Sequence, residues 1–123
     1  MIQPGKSATV TTTVTEANTA KAVGSGNLNV FSTPMMIALM EQAACECLSG
    51  GLEDGQSSVG TKVDIVHTAA SPLGANISAT ATVTAIDGKK ISFSVTAKEG
   101  EKEIGKGSHE RFIIDVERFI SRL

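Results

Sequence analysis

The sequence has no tryptophan, no tyrosine and only four phenylalanines among its 123 residues. Its core must therefore be built from Val, Ile, Ala, Leu and Met. Basic residues do not dominate either. Eleven Lys and Arg stand against 13 Asp and Glu, for a net charge of −2. Without a basic footprint, a nucleic-acid partner is excluded. No apolar run approaches the roughly 20 residues that span a bilayer, so no membrane partner is expected. The opening Met1-Ile-Gln-Pro-Gly-Lys has no apolar run behind its basic residue, so no secretory leader is expected and the cytoplasm is the expected compartment. The chain has no Walker-type loop and no dinucleotide fingerprint. Its two histidines are far apart in sequence, and nothing around them has metal-ligand spacing. Its length suits one domain, residues 1–123.

Cysteine is nearly absent too. Cys45 and Cys47 lie two apart in a helical pattern, so their side chains point to nearly opposite sides. They cannot pair with each other, and the spacing is not a metal clip. Both are read as small buried hydrophobes.

What is present is pattern. Residues 8–15 are Thr-rich and read as a first strand, with Val10 and Val14 on one face. Residues 16–30 have little periodicity and read as a surface connection, or as a lid or subunit contact. Thr33-Pro34 starts a helix, with Thr33 as its cap and Pro34 in the first turn. The helix runs from Met35 to Leu48 and stops at Gly50-Gly51. It is apolar on nearly all faces, which predicts burial all round.

The remainder alternates with period two. Val59, Thr61, Val63, Ile65 and His67 share one face of a second strand. Ile77, Ala79, Ala81, Val83 and Ala85 share a face of a third. Asp87-Gly88 marks a tight hairpin. Ile91, Phe93, Val95 and Ala97 line the fourth, and Ile104 to Ile114 form the fifth after a turn at Glu99-Gly100. Asp115 is placed to cap a short terminal helix, Val116 to Ile120. Clean alternation means strands with one wet face. An α+β fold, one antiparallel sheet wrapped around one long helix, satisfies the order of elements. A second subunit would cover whatever flank of the helix the sheet leaves bare.

Three residues stand out chemically. Glu41 sits in the middle of the apolar helix, where an isolated carboxylate must be paired, protonated or turned to a polar cavity. It reads either as a structurally paired acid or as a general base or histidine-orienting group. His67 ends its strand on the face turned to that helix. It reads as a core histidine or as an imidazole tuned by Glu41. Thr33 reads as a cap, or as a hydroxyl that binds a carbonyl or attacks one. Residues 33, 37 and 41 share a helical stripe, but eight residues at about 1.5 Å each separate Thr33 from Glu41 by about 12 Å. A single chain is not expected to bring the two into contact. Gly60 reads as a bulge, or as a backbone N–H offered to a thioester oxygen. His109 and Arg111, in the last strand, read as a solvated face, or as groups that meet the phosphates of a nucleotide-like carrier.

Taken together, Val30-Phe-Ser-Thr-Pro-Met-Met-Ile-Ala-Leu-Met-Glu-Gln-Ala-Ala-Cys, then Ser58-Val-Gly-Thr-Lys-Val-Asp-Ile-Val-His-Thr-Ala-Ala-Ser-Pro-Leu-Gly, then Ile104-Gly-Lys-Gly-Ser-His-Glu-Arg-Phe-Ile-Ile resemble the fluoroacetyl-CoA thioesterase family. The likeness spans roughly residues 30–119 and includes a Thr-to-Glu spacing of eight and a Glu-to-His spacing of 26. It implies the hotdog fold, a homodimer with sites at the subunit interface, and hydrolysis of an acyl-CoA substrate without a metal or organic cofactor. It also implies that Thr33, Glu41 and His67 are the catalytic set and that Gly60 helps hold the thioester carbonyl. The family's type enzyme covers its acyl pocket with phenylalanines before the helix. Residues 16–30 contain no aromatic residue, so the acyl group stays open. Rival readings are a non-catalytic acyl-CoA-binding module, an enoyl-CoA hydratase of the same fold, and a structural dimer whose polar core residues only fix its register.

Overall fold

A computed structural model describes all 123 residues. Five antiparallel strands form one sheet, in the order β1-β3-β4-β5-β2. They are β1 (Ser7–Thr13), β2 (Gln56–His67), β3 (Asn76–Asp87), β4 (Lys90–Glu99) and β5 (Lys102–Asp115). The 16-residue helix α2 (Thr33–Leu48) lies across one face, and two short helices, α1 (Ala20–Val23) and α3 (Val116–Ser121), complete the chain. This is the expected α+β arrangement. No helix is long and apolar enough to cross a membrane.

The alternation explains the sheet. Ile77, Ala79, Ala81 and Val83 of β3 are buried, as are Ile91, Phe93, Val95 and Ala97 of β4. The Ser and Thr residues between them lie on the other, wetter face. Ala79 and Ala81 are fully buried beside Ala43 and Ala44 of α2 in one core cluster. Small residues let a helix seat closely on a sheet, so a nearly aromatic-free core still reaches close packing. Two-residue loops close both hairpins: Asp87 pairs with Lys90 and Glu99 with Lys102, with Gly88 and Gly100 at φ 60°. Asp115 caps α3 as expected, its Oδ1 accepting from the Arg118 N–H at 2.9 Å.

Two strands depart from simple alternation, because each contains a bulge that period-two counting cannot see. In β3 the register shifts between Val83 and Ala85, and Ala85 is exposed instead of joining the buried face. In β2 it shifts between Gly60 and Lys62, leaving Thr61 unpaired in the ladder. Gly60, Val63, Ile65 and His67 then stand opposite Arg111, His109, Gly107 and Gly105. Val59 is thrown to the other face, opposite Phe112.

The helix is not buried all round. It packs mainly against β1 and β3 and barely touches β2. Met36, Leu39, Met40, Ala43, Ala44, Cys47 and Leu48 are buried, whereas Ala38, Gln42, Cys45 and Glu46 are exposed. Cys45 is thus not the buried hydrophobe expected of it. Cys47 is buried, donates to the Lys6 carbonyl at 3.2 Å, and has its thiol pKa pushed up by burial. One flank of the helix is therefore left uncovered, and β2, at the end of the sheet, has no strand on its outer side.

The connection before α2 is more ordered than its composition suggests. It forms a 3-10 turn (Glu16–Asn18) and α1, and its return leg is pinned by Phe31 N–H to Ser71 O (2.9 Å) and Ser32 N–H to Asn18 O (3.1 Å). Thr19 and Phe31 are almost completely buried.

Close approach of β5 to β2 depends on Gly107, where a Cβ would run into the Asp64 carbonyl and lie 2.6 Å from Ile65 Cα. Backbone cannot swing away as a side-chain tip can. Gly107→Ala is expected to cost about 1–3 kcal/mol, read as a lower denaturation midpoint with an unchanged slope.

Candidate active site

The first half of the site is built at the helix N-terminus. Ser32, not Thr33, is the cap: its Oγ accepts from the Met35 N–H at 3.2 Å. Thr33 becomes the first helical residue, with Pro34 behind it in the first turn. The consequence is chemical. A threonine serving as cap would have its oxygen occupied by backbone N–H groups. Relieved of that task, Thr33 places its Oγ1 2.7 Å from His67 Nδ1.

His67 is held at the end of β2 by its pairing with Gly105. Its Nε2 is buried and has no hydrogen-bond partner within the chain. Burial lowers the pKa of the imidazole from its ordinary value, with the Ala69 backbone pulling the other way. The ring is therefore neutral at pH 7 and able to accept a proton. Thr33 and His67 open onto a cleft of about 270 Å³ whose walls include Ala20, Ser25, Val30, Phe31, Ala69 and Ala70.

The second half lies farther along α2. Glu41 does not touch Thr33 or His67. Its Oε2 accepts from Arg111 Nη1 at 3.1 Å and lies 3.9 Å from His109 Nε2. The Arg111 guanidinium also donates from Nε to Ser58 Oγ (2.8 Å) and from Nη2 to the Ser58 carbonyl (3.1 Å). Arg111 is 7% exposed and His109 1%, so these residues do not form a solvated face. The guanidinium is engaged by Ser58, Glu41 and His109. Gly60 explains how the carboxylate fits. A Cβ there would collide with Glu41 Oε2 and lie 3.3 Å from both Arg111 Nη1 and His109 Cε1. The bulge after Gly60 brings this bare backbone under the helix, where the carboxylate needs room.

The single chain thus joins Thr33 to His67, joins Glu41 to Arg111 and Gly60, and keeps the two groups apart, as the 12 Å rise between residues 33 and 41 requires. Sequence reasoning missed Ser32 and Ser58 and did not see what His109 does. A signal for His109 existed. Gly105, Gly107, His109 and Arg111 fall on alternate positions of one strand face, two spaces followed by two large polar groups. A separate concavity of about 320 Å³ between β5 and α3, lined in part by Phe112, Phe119 and Arg118, contains no paired nucleophile and base.

A sequence profile described as FlK, fluoroacetyl-CoA-specific thioesterase, matches residues 14–117. The chain belongs to this family. The fluoroacetyl-CoA thioesterase of Streptantibioticus cattleyicolor is 39% identical over 94 residues, which are 76% of this chain and 68% of that one. Among solved structures, a variant of the fluoroacetyl-CoA-specific thioesterase FlK superposes with a TM-score of 0.93 at 32% identity, covering 99% of this chain and 95% of that one. A Thermus thermophilus member of the thioesterase superfamily gives 0.91 at 26% identity over 99% of this chain and 90% of that one. The fold is the hotdog fold these neighbours share.

The division of labour between Ser32 and Thr33 is testable by stability alone. Ser32→Ala should cost about 1 kcal/mol through the lost cap, whereas Thr33→Ala should stay within about 0.5 kcal/mol of the parent protein. Chemical denaturation of both variants checks this, and the reverse order would return the cap to Thr33.

Proposed function

We propose that the protein is an acyl-CoA thioesterase that hydrolyses a short acyl-CoA to the free acid and coenzyme A at a site shared by two subunits. The observation that carries this reading is the 2.7 Å contact between Thr33 Oγ1 and His67 Nδ1 at the mouth of a small cleft. A hydroxyl at a helix N-terminus, against a neutral imidazole, is an arrangement for attack on a carbonyl. His67 takes the proton from Thr33, or from a water seated between Thr33 and the acyl carbon. The carbonyl carbon gains the new C–O bond, its C–S bond breaks, and the coenzyme A thiolate leaves with the proton that His67 took. Where Thr33 is the attacking group, a water deprotonated by His67 then adds to the acyl–Thr33 ester, whose bond to Thr33 breaks to release the acid and restore the hydroxyl. Backbone N–H groups near Gly60 of a second copy, which lies beside that copy's Glu41, polarise the thioester oxygen. Arg111 serves the substrate indirectly, by holding Glu41.

When Thr33 donates to His67 Nδ1, the ring proton sits on Nε2, the buried atom without a partner. A carboxylate is the group that orients an imidazole from that side. Glu41 of the same chain does not reach His67, so we assign this role to Glu41 of a second copy, which Arg111 grips through Oε2 alone. The outer edge of β2 is unpaired, and Val63 and Val66 beside it are 38% and 51% exposed. Antiparallel pairing of this edge with its own copy about a two-fold axis makes one continuous sheet and covers the bare flank of α2. The modest volume of the cleft, about 270 Å³, favours a short acyl group.

Thiol release from a panel of short acyl-CoAs tests the activity, with Cys45 replaced by Ala to remove its background. Glu41→Gln and His67→Ala should each lower kcat by about 10²–10⁴-fold while the fold survives. Near-parental turnover in Glu41→Gln would sink the assignment. Sharing of the site has its own test. Thr33→Ala and Glu41→Gln proteins, unfolded together and refolded, should recover about a quarter of the parental activity through mixed dimers that hold one intact site. No recovery over the two separate proteins would place the whole set within one chain.

A further inference from the structure

We propose that His109 is a positioning residue for Glu41, acting as a neutral hydrogen-bond acceptor that aims the Arg111 guanidinium at the carboxylate. The inference rests on the reading of Glu41 as the carboxylate that orients His67, and goes beyond it by assigning a function to a residue that touches no substrate.

The protonation state follows from its partners. His109 Nδ1 lies 2.7 Å from the Lys62 carbonyl oxygen, which can only accept, so Nδ1 carries a proton. Nε2 lies 3.3 Å from Arg111 Nη1, which can only donate, so Nε2 presents its lone pair. The two contacts together require the neutral ring. A second proton on Nε2 would set N–H against N–H and turn the imidazole toward Glu41 Oε2, 3.9 Å away. The groups around the ring agree on balance. Burial lowers its pKa most, and Arg111 adds to this, while the Lys62 carbonyl, Glu41 and Glu110 oppose. Phe93 stacks on it with ring centroids 5.9 Å apart, which limits rotation of the ring.

Arg111 Nη1 has two hydrogens. One serves Glu41 Oε2 and the other has His109 Nε2 as its acceptor. Together with the two bonds to Ser58, this holds the guanidinium plane on both edges. Without the His109 lone pair, Nη1 keeps only Glu41, and the fork is free to pivot about Ser58. The Lys62 contact adds a second link, since Lys62 directly follows the bulged Thr61. One ring thus holds both the bulge that places Gly60 under Glu41 and the cation that grips Glu41.

The two functions separate with two substitutions. Asn places an amide nitrogen near the position of Nδ1, keeping a donor for Lys62 but offering no acceptor to Arg111. Gln places an amide oxygen near the position of Nε2, keeping the acceptor and losing the donor to Lys62. Using the best acyl-CoA from the panel above, His109→Asn should lower kcat about tenfold or more with KM within about threefold. His109→Gln should hold kcat within about threefold even where its melting temperature falls further. In a Glu41→Gln background, His109→Asn should have no further effect on kcat, because both changes remove the same function. Equal loss of kcat in both variants, tracking their stability, would make His109 a structural residue only, as would additive losses in the double variant. If Glu41→Gln itself retains turnover, the reading of Glu41 fails. If Glu41→Gln is inactive while His109→Asn is fully active, only the present inference fails.

Discussion

A guanidinium cannot be buried without partners, and Arg111 is buried. Its charge is met by one carboxylate, Glu41, and three further donors by Ser58 and His109. Those partners belong to three different elements. Ser58 is on β2, Glu41 on α2 and His109 on β5 itself. One cation therefore sets the register of the helix against the two strands it packs on least. Elsewhere α2 is seated by apolar contact with β1 and β3, which resists separation but tolerates sliding. The directional bonds at Arg111 fix where along the sheet the helix stops, and so where Thr33 arrives relative to His67.

The bulge in β2 belongs to the same constraint. An uninterrupted strand would keep Gly60 and Val63 on opposite faces. With Thr61 unpaired in the ladder, both turn to the helix, and the one residue without a side chain falls where Glu41 Oε2 passes. The ladder loses a pairing there, and the Lys62 carbonyl finds its partner in His109 instead. Local irregularity and the placement of the carboxylate are one feature of the fold.

Most of the architecture was legible in the sequence, because hairpin turns, helix boundaries and alternation are local signals. Asp87-Gly88, Glu99-Gly100 and Asp115 did in the structure what their chemistry implies. Legibility ended where the answer depended on distant partners. The bulges at residues 61 and 84 leave no local trace, and they moved Val59 and Ala85 off the faces that counting assigns them. Burial of Arg111 and His109 was missed because a charged strand end reads as wet until its carboxylate is found 70 residues away. Cys45 was misjudged because an apolar helix does not say which flank the sheet covers. Of the candidate site, Thr33, Glu41, His67 and Gly60 were all singled out. Their grouping into two separate clusters required coordinates, although the helical rise had already argued against direct contact of Thr33 with Glu41.

The parts of the site differ in how they are mounted. Thr33 and Glu41 ride on one helix, and His67, Gly60, His109 and Arg111 on two strands in register. The cleft beside Thr33 is walled in part by α1 and the turns on either side, a segment tied to the body at a few backbone bonds, with Val23 and Leu28 standing out at 40% and 67% exposure. In the proposed reading, the reacting groups and this part of the wall are carried by different stretches of chain. Changes of residue in the wall can accumulate without disturbing the machinery behind it. On that reading, the acyl preference of this scaffold is free to drift among descendants while the pairing of Thr33 with His67 is inherited intact.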